Sequence, residues 1–379
     1  MRVLHLITNM LASGGAEVML LRLARASAED RPIIVSLMDV SDRHQALVAE
    51  YGLDVRSLNA RSTAGLLGAG MKLGRIIRDE SPDAVMCWLY HAMIVGQLGA
   101  WHSRLDVPVY WNVRQSLDDI GSLSASTRMA LRLTRLLSSR PAGIVFNSRR
   151  ALDLHRSYGY RNQNCIVIPN GFDPVPHAPV GHVTPTVFGI AGRLHRQKDY
   201  GTFFAAAAQV HRAHPDARFI AAGAGLTPDS DAVRHMLDAA GLPADAVELR
   251  GNVSDMVGFY RDIDCLVLSS RTEGFPNVVA EAMSLGKPVI STDVGDAAAI
   301  VEDTGFIVPA SDPPALAEAM KRMVSIDPSR YAAMSRAARQ RIESTYSLQH
   351  VAARYRAFLC ETARDRCGMA AGAAQNPAA

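Results

Sequence analysis

The stretch CLVLSSRTEGFPNVVAEAMSLGKPVIS, residues 265–291, contains one complete strand, loop, helix and strand. The apolar run 265–269 is too short for a helix and reads as a buried strand. Residues 277–285 repeat apolar side chains at helical spacing, and Pro276 stands where a helix start tolerates a missing amide. Residues 289–291 form a second short apolar run, and Gly274 punctuates the loop between. A strand followed by a helix and another strand at this spacing requires a parallel pair, the unit of a doubly wound α/β domain.

The same alternation continues in both directions. Upstream, residues 187–191, 218–222 and 247–249 read as strands, separated by helical patterns over 200–214 and 229–240. The first half of the chain repeats the theme, with strands expected at 2–7, 32–37, 84–88, 107–112, 143–146 and 165–168 and helices at 16–28 and 124–138. Five prolines and two glycines fall between residues 169 and 185, where no periodicity survives. The expected organisation is therefore a first Rossmann-like domain over 1–170, a linker over 171–185 and a second over 186–347. A helix over 348–365 returns to the first domain, and a small-residue tail over 366–379 has no composition that requires folding.

The chain has 379 residues, enough for two ordinary cores, and its 40 basic side chains against 37 acidic ones leave a net charge of only +3. That balance excludes a dedicated nucleic-acid binder. The charge divides unevenly, with a basic excess in residues 1–180. Only four of the cations are lysines, Lys72, Lys198, Lys287 and Lys321. Five scattered cysteines, none at C-x-x-C spacing, argue against a disulfide framework or a thiolate zinc site and fit a reducing cytoplasm. The N-terminal run lacks a small-residue cleavage site and reads as a first strand. The most apolar stretch, 88–101, is shorter than the ~20 residues that span a bilayer.

Ligands of open α/β sheets sit beyond the carboxyl ends of the strands, so residues just after strands carry the chemistry. Gly14 and Gly15 follow the first strand and open a helix whose positive dipole end suits a phosphate, although a glycine pair alone signals an ordinary turn. Arg193 and Lys198 follow the strand 187–191 in one loop, where a guanidinium fork and an ammonium point charge can converge on a diphosphate. Glu273 follows the strand 265–269, and the loop Gly274, Phe275, Pro276, Asn277 offers amides to an anion at a helix start. Glu281, inside that helix, is placed to accept hydrogen bonds from a ribose diol.

These motifs resemble the retaining glycosyltransferases of family 4 (glycosyl transferases group 1). The resemblance rests on Gly192-Arg193 with Lys198, the Gly223-Ala224-Gly225 turn, Arg250-Gly251-Asn252-Val253, Glu273 through Asn277, Glu281-Ala282-Met283 and Gly286-Lys287-Pro288. Ser13 through Glu17 and Ile168-Pro169-Asn170-Gly171 extend it over nearly the whole chain. It implies a GT-B fold, α/β, with two Rossmann-like domains whose parallel sheets face across a cleft. The donor is an NDP-sugar, UDP- or GDP-linked, held mainly by the second domain. The acceptor, a polysaccharide, oligosaccharide or lipid-linked saccharide of cell-envelope or exopolysaccharide synthesis, lies on the first. No essential metal and no other cofactor is implied.

By the same resemblance, Arg193 and Lys198 balance the leaving diphosphate and Glu281 takes the ribose. Glu273 and the 274–277 amides meet the sugar and phosphate, Gly14 and Gly15 approach the pyrophosphate, and backbone at Asn252 and Val253 meets the base. Many relatives carry a histidine after the strand corresponding to 107–112; here Arg114 stands at that place, and His91 is the nearest substitute. An NDP-sugar 2-epimerase of the same fold, or a two-lobed solute-binding protein, is the alternative.

Two further patterns stand apart from these motifs. Asp262-Ile263-Asp264 imitates a metal-binding Asp-x-Asp but precedes its strand, at the wrong end of the sheet, and His211 with His214 lacks a third ligand. Arg128, Arg132 and Arg135, interleaved with leucines, make a basic amphipathic helix that reads either as a surface helix with an apolar inner face or as one that docks on anionic lipid; the expected location is the cytoplasm, peripheral on the inner face of the plasma membrane where the helix docks.

Overall fold

Among the described residues thirteen short strands, most of them dominated by apolar side chains, build two parallel sheets. The computed structural model describes residues 1–11, 14–60, 63–175 and 184–373. The first unit comprises Met1–Gly171 together with the chain from Leu348 onward, and the second comprises Phe172–Ser347.

In the first unit the strands are β1 (Val3–Ile7), β2 (Ile33–Ser36), β3 (Asp54–Ser57), β4 (Ala84–Trp88), β5 (Val109–Val113), β6 (Gly143–Phe146) and β7 (Cys165–Val167). They lie in the order β3-β2-β1-β4-β5-β6-β7. Every pairing is parallel. β1, β4 and β5 are buried along their whole length, as strands covered on both faces must be. Alternate residues feed opposite cores: Val85 and Cys87 pack with Leu73, Val95 and Leu131, whereas Met86 and Trp88 pack with Leu20 and Leu23. The second of these cores also takes Val351, Tyr355 and Leu359 from the final helix.

That helix runs Leu348–Ala373, further than the 348–365 expected, and carries Gly368 and Gly372 in its last turns. The end of the expected tail, 374–379, lies outside the described residues, as does 176–183 of the expected linker.

In the second unit the strands are β8 (Val187–Ala191), β9 (Arg218–Ala222), β10 (Val247–Gly251), β11 (Cys265–Leu268), β12 (Val289–Thr292) and β13 (Phe306–Val308). Their order is β10-β9-β8-β11-β12-β13, again all parallel. Phe188, Phe203, Phe204 and Phe219 fill one side of this sheet, and Leu266, Leu268, Val279 and Met283 the other.

The strand order reverses between β1 and β4 in one sheet and between β8 and β11 in the other. These are the points at which the loops after neighbouring strands diverge to opposite faces and leave a crevice for ligands.

Candidate active site

In the second unit the loops leaving β8 and β11 are sewn together. Lys198 Nζ lies 2.6 Å from Glu273 Oε1, and Ser270 Oγ donates to the same carboxylate oxygen at 2.7 Å. Gln197 Nε2 donates to the Thr272 carbonyl at 3.0 Å, and the Arg271 amide donates to the Gln197 carbonyl at 2.8 Å. Beneath them Arg271 Nε donates to Asp199 at 2.7 Å, with Thr202 and Ser311 hydroxyls on the same side chain. Burial works against the Asp199 charge, but these hydrogen bonds outweigh it and hold the carboxyl below its ordinary range. Asp199 itself sits at φ 49°, so the cluster fixes a left-handed residue at the turn into helix Tyr200–Ala213.

Lys198, expected to meet a diphosphate, is thus a shielded, ion-paired group. Arg193 differs: its side chain is exposed and has no hydrogen bond or ion pair among the described residues. Gly192 and Gly223 make the approach possible. A Cβ on Gly223, at φ 151°, would lie 1.8 Å from the Gly192 carbonyl oxygen. Tyr200 Oη donates to that same carbonyl at 2.5 Å.

Helix Asn277–Ser284 begins at the expected residue, and Pro276 is its cap. Having no N–H, it gives nothing to an anion, and the donors of this loop are the amides of Gly274, Phe275 and Asn277. Phe275 contributes backbone only, because its ring is buried between Phe172 and Tyr346. Gly295, at φ 56°, packs under the loop so closely that a Cβ would meet the Gly274 carbonyl at 2.4 Å. Glu281 accepts from Tyr260 Oη at 2.9 Å, and Tyr260 belongs to helix Met256–Asp262, which follows Asn252 and Val253 at the end of β10.

In the first unit Gly14 caps helix Gly15–Ala26, and of the two glycines expected to approach a diphosphate Gly14 already has a partner for its amide. The Glu17 carboxylate folds back onto the amides of Gly14 and its own residue, with burial raising its pKa against them. Gly14 at the cap and Glu17 at the third helical position form half of a capping box, a pattern legible in the sequence but not read there. Ser13 lies outside the described residues.

His91 is the second residue of helix Tyr90–Ser103, directly after β4, with Nε2 2.9 Å from Ser126 Oγ. Partial burial lowers its pKa. Arg114, just past β5, is buried, donating to Asn170 and lying 5.4 Å over the Trp88 ring.

The Asp262-Ile263-Asp264 carboxylates are both occupied structurally. Asp262 accepts from Arg250 at 2.6 Å, and Asp264 takes the amides of Thr186 and Val187 at 2.9 Å each.

Residues 13–175 match the family described as glycosyltransferase family 4, and residues 185–325 match the one described as glycosyl transferases group 1. The chain belongs to these family 4, group 1 glycosyltransferases. Among the relatives of this family 4 chain, the capsular polysaccharide biosynthesis glycosyltransferase CapM of Staphylococcus aureus is 35% identical over 122 residues, 31% of this chain and 32% of CapM. The lipopolysaccharide core biosynthesis mannosyltransferase LpsB of Rhizobium meliloti is 33% identical over 113 residues, 29% of this chain and 32% of LpsB. The matched stretches therefore span 32% of the length of each of these two relatives.

Among solved structures, Anabaena Alr3699/HepE in complex with UDP and glucose aligns with a TM-score of 0.81 at 21% identity, over 95% of this chain and all of that one (100%). Sucrose-phosphate synthase from Thermosynechococcus elongatus aligns with a TM-score of 0.77 at 17% identity, over 95% and 99% of the two chains. The fold of this family 4 chain is accordingly GT-B, two Rossmann-like domains with parallel sheets.

Proposed function

We propose that this family 4 chain transfers a hexosyl group from an NDP-sugar to a saccharide acceptor of cell-envelope or exopolysaccharide synthesis, with retention of anomeric configuration. The observation that carries the reading is the Lys198–Glu273 pair at the β8/β11 switch point, with the unpaired Arg193 in the same loop and the amides of Gly274, Phe275 and Asn277 beside it. A leaving diphosphate needs cations and oriented amides; this loop pair supplies both. In the transfer, the bond from the sugar C1 to the phosphate oxygen breaks and a bond from C1 to the acceptor oxygen forms on the same face. The acceptor hydroxyl proton passes to the leaving phosphate oxygen. Arg193 and Lys198 take the role of balancing the charge that develops there, and Glu281, with Tyr260 fixing its orientation, takes the ribose hydroxyls.

The names of CapM and LpsB support an envelope saccharide as acceptor, and HepE, bound to UDP and glucose, supports a nucleotide-sugar donor. A thermal-shift panel of UDP- and GDP-linked hexoses tests the reading. The true donor raises the melting temperature through RT ln(1 + [L]/Kd), and a panel without any shift contradicts it.

We also propose peripheral contact with an anionic bilayer through helix Ala125–Leu137. No described helix is long and apolar enough to cross a membrane. Met129, Leu133 and Leu136 are exposed on the helix, Leu136 at 70% and the neighbouring Trp101 at 74%. Arg132, Arg135 and Arg140 lie exposed around them. Apolar side chains flanked by arginines match an anionic interface in both charge and depth.

A further inference from the structure

Four neighbouring strands of the first sheet, β1, β4, β5 and β6, each end in an irregularity. Thr8, Arg114 and Asn147 come directly after β1, β5 and β6. Each keeps a buried polar atom without a hydrogen-bond partner among the described residues: Thr8 Oγ1, Arg114 Nε and Asn147 Oδ1. Leu89, directly after β4, holds φ 70° and ψ 157°, a conformation that glycine adopts freely and leucine only under constraint. More than nine in ten buried polar groups in folded proteins are paired, so three unpaired ones in a single rank need a reason. The rank lies at the carboxyl edge of the sheet, where α/β folds take their ligands.

Arg114 decides the ligand's charge. It is 9% exposed, and the groups around it are neutral: Asn112 Oδ1 at 3.5 Å, Tyr355 Oη at 3.5 Å, the Asn170 side chain and the Trp88 ring. No carboxylate of the described residues acts on it, and burial alone pushes its pKa down. Arginines this deep in a protein are normally paired with an acid. Among the described residues that acid is missing.

We infer that the carboxyl edge of the first sheet binds an anionic sugar, one bearing a carboxylate or a phosphate ester, with Arg114 meeting the anion and Thr8 and Asn147 its hydroxyls. The inference rests on the transferase reading only in taking this sugar as the acceptor. Arg114 then selects the acceptor by charge, and Leu89 is a positioning residue that turns the chain between the β4 end and His91.

The test uses the full chain saturated with UDP, so that the second unit's phosphate site is filled, and titrates methyl glucuronide, glucose 6-phosphate and methyl glucoside, following the fluorescence of the tryptophans. The expected result is at least a tenfold preference for one anionic sugar over the neutral one, and which of the two is preferred separates carboxylate from phosphate. Arg114→Met removes that preference, leaves UDP affinity as it was, and does not lower the melting temperature, since it deletes an unpaired buried charge. Thr8→Val, nearly isosteric, weakens sugar binding with the fold intact and supplies the comparison if Arg114→Met fails to fold. Equal affinity for all three sugars in the wild-type chain overturns the inference, and so does Arg114→Met that lowers the melting temperature while keeping the preference. Failure of UDP to bind overturns the donor reading instead, and the sugar comparison is then made without nucleotide.

Discussion

Lys198 and Glu273 meet at 2.6 Å across the reversal of strand order in the second sheet, joining the loop after β8 to the loop after β11. Both side chains are largely shielded from water, at 20% and 12% exposure. Lys198→Met should therefore act twice. It removes a cation from the diphosphate, for which a loss of about 100-fold in turnover is the expected scale. It also strands the Glu273 carboxylate, costing about 1–3 kcal/mol of stability. Steady-state kinetics beside chemical denaturation separates the two; an unchanged turnover would remove Lys198 from the chemistry.

Two buried histidines give the fold an acid limit. Burial lowers His5 and His155 to about 4, and their neighbours suit the neutral ring: Trp88 Nε1 donates to His5 Nδ1, and Tyr90 Oη bonds His155 Nε2 while His155 Nδ1 bonds the Ala151 carbonyl. The unfolded chain takes up protons near 6.5 and the folded chain only near 4, so the stabilisation is complete above pH 6.5 and is lost as pH falls towards 4. The slope is about 1.4 kcal/mol per pH unit for each histidine. Denaturation midpoints between pH 7 and 5 should fall, and His155→Gln should flatten the decline.

Gly223→Ala tests the backbone approach at the β8 exit. The new Cβ would overlap the Gly192 carbonyl at 1.8 Å, with backbone and not a flexible side chain as the obstacle. A loss of more than about 3 kcal/mol is expected in thermal unfolding, against the few tenths typical of a surface glycine.

Vesicle sedimentation tests the basic helix. Arg132→Glu with Arg135→Glu should abolish binding to phosphatidylglycerol vesicles and cost no more in unfolding than the about 0.5–1 kcal/mol of the Arg135 guanidinium lying 5.5 Å over the Tyr158 ring. Arg128 is left in place because it donates to the Gly121 and Leu123 carbonyls at 3.2 and 2.5 Å and so shapes the preceding turn. Unaltered sedimentation of the double variant would refute the membrane contact.

The central strands were legible because parallel strands covered on both faces are continuous apolar runs: β4, β6, β8 and β9 occupy the expected residues, and β1, β11 and β12 lie within a residue or so of theirs. β3 was not, since Asp54–Ser57 is a half-exposed edge with polar ends, and the three residues of β13 are too few to show a pattern. The glycine, arginine and lysine positions after the strands could be read from their order along the chain. Their partners could not. The bond from Lys198 to Glu273 joins residues 75 positions apart, and nothing local marks Arg114 as buried, since arginine is ordinarily a surface residue. Long-range pairing and burial of charge are properties of the assembled sheet, where strand order, not sequence order, sets the neighbours.

The most direct test of the donor site is calorimetric titration of UDP and GDP into the wild-type chain and Arg193→Ala. Arg193 is exposed and has no partner among the described residues, so its removal leaves the fold untouched and reports on ligand alone. The account predicts that one of the two nucleotides binds and that Arg193→Ala weakens it at least tenfold at an unchanged melting temperature. Binding of neither nucleotide, or equal affinity in the variant, would contradict the placing of the donor diphosphate between β8 and β11.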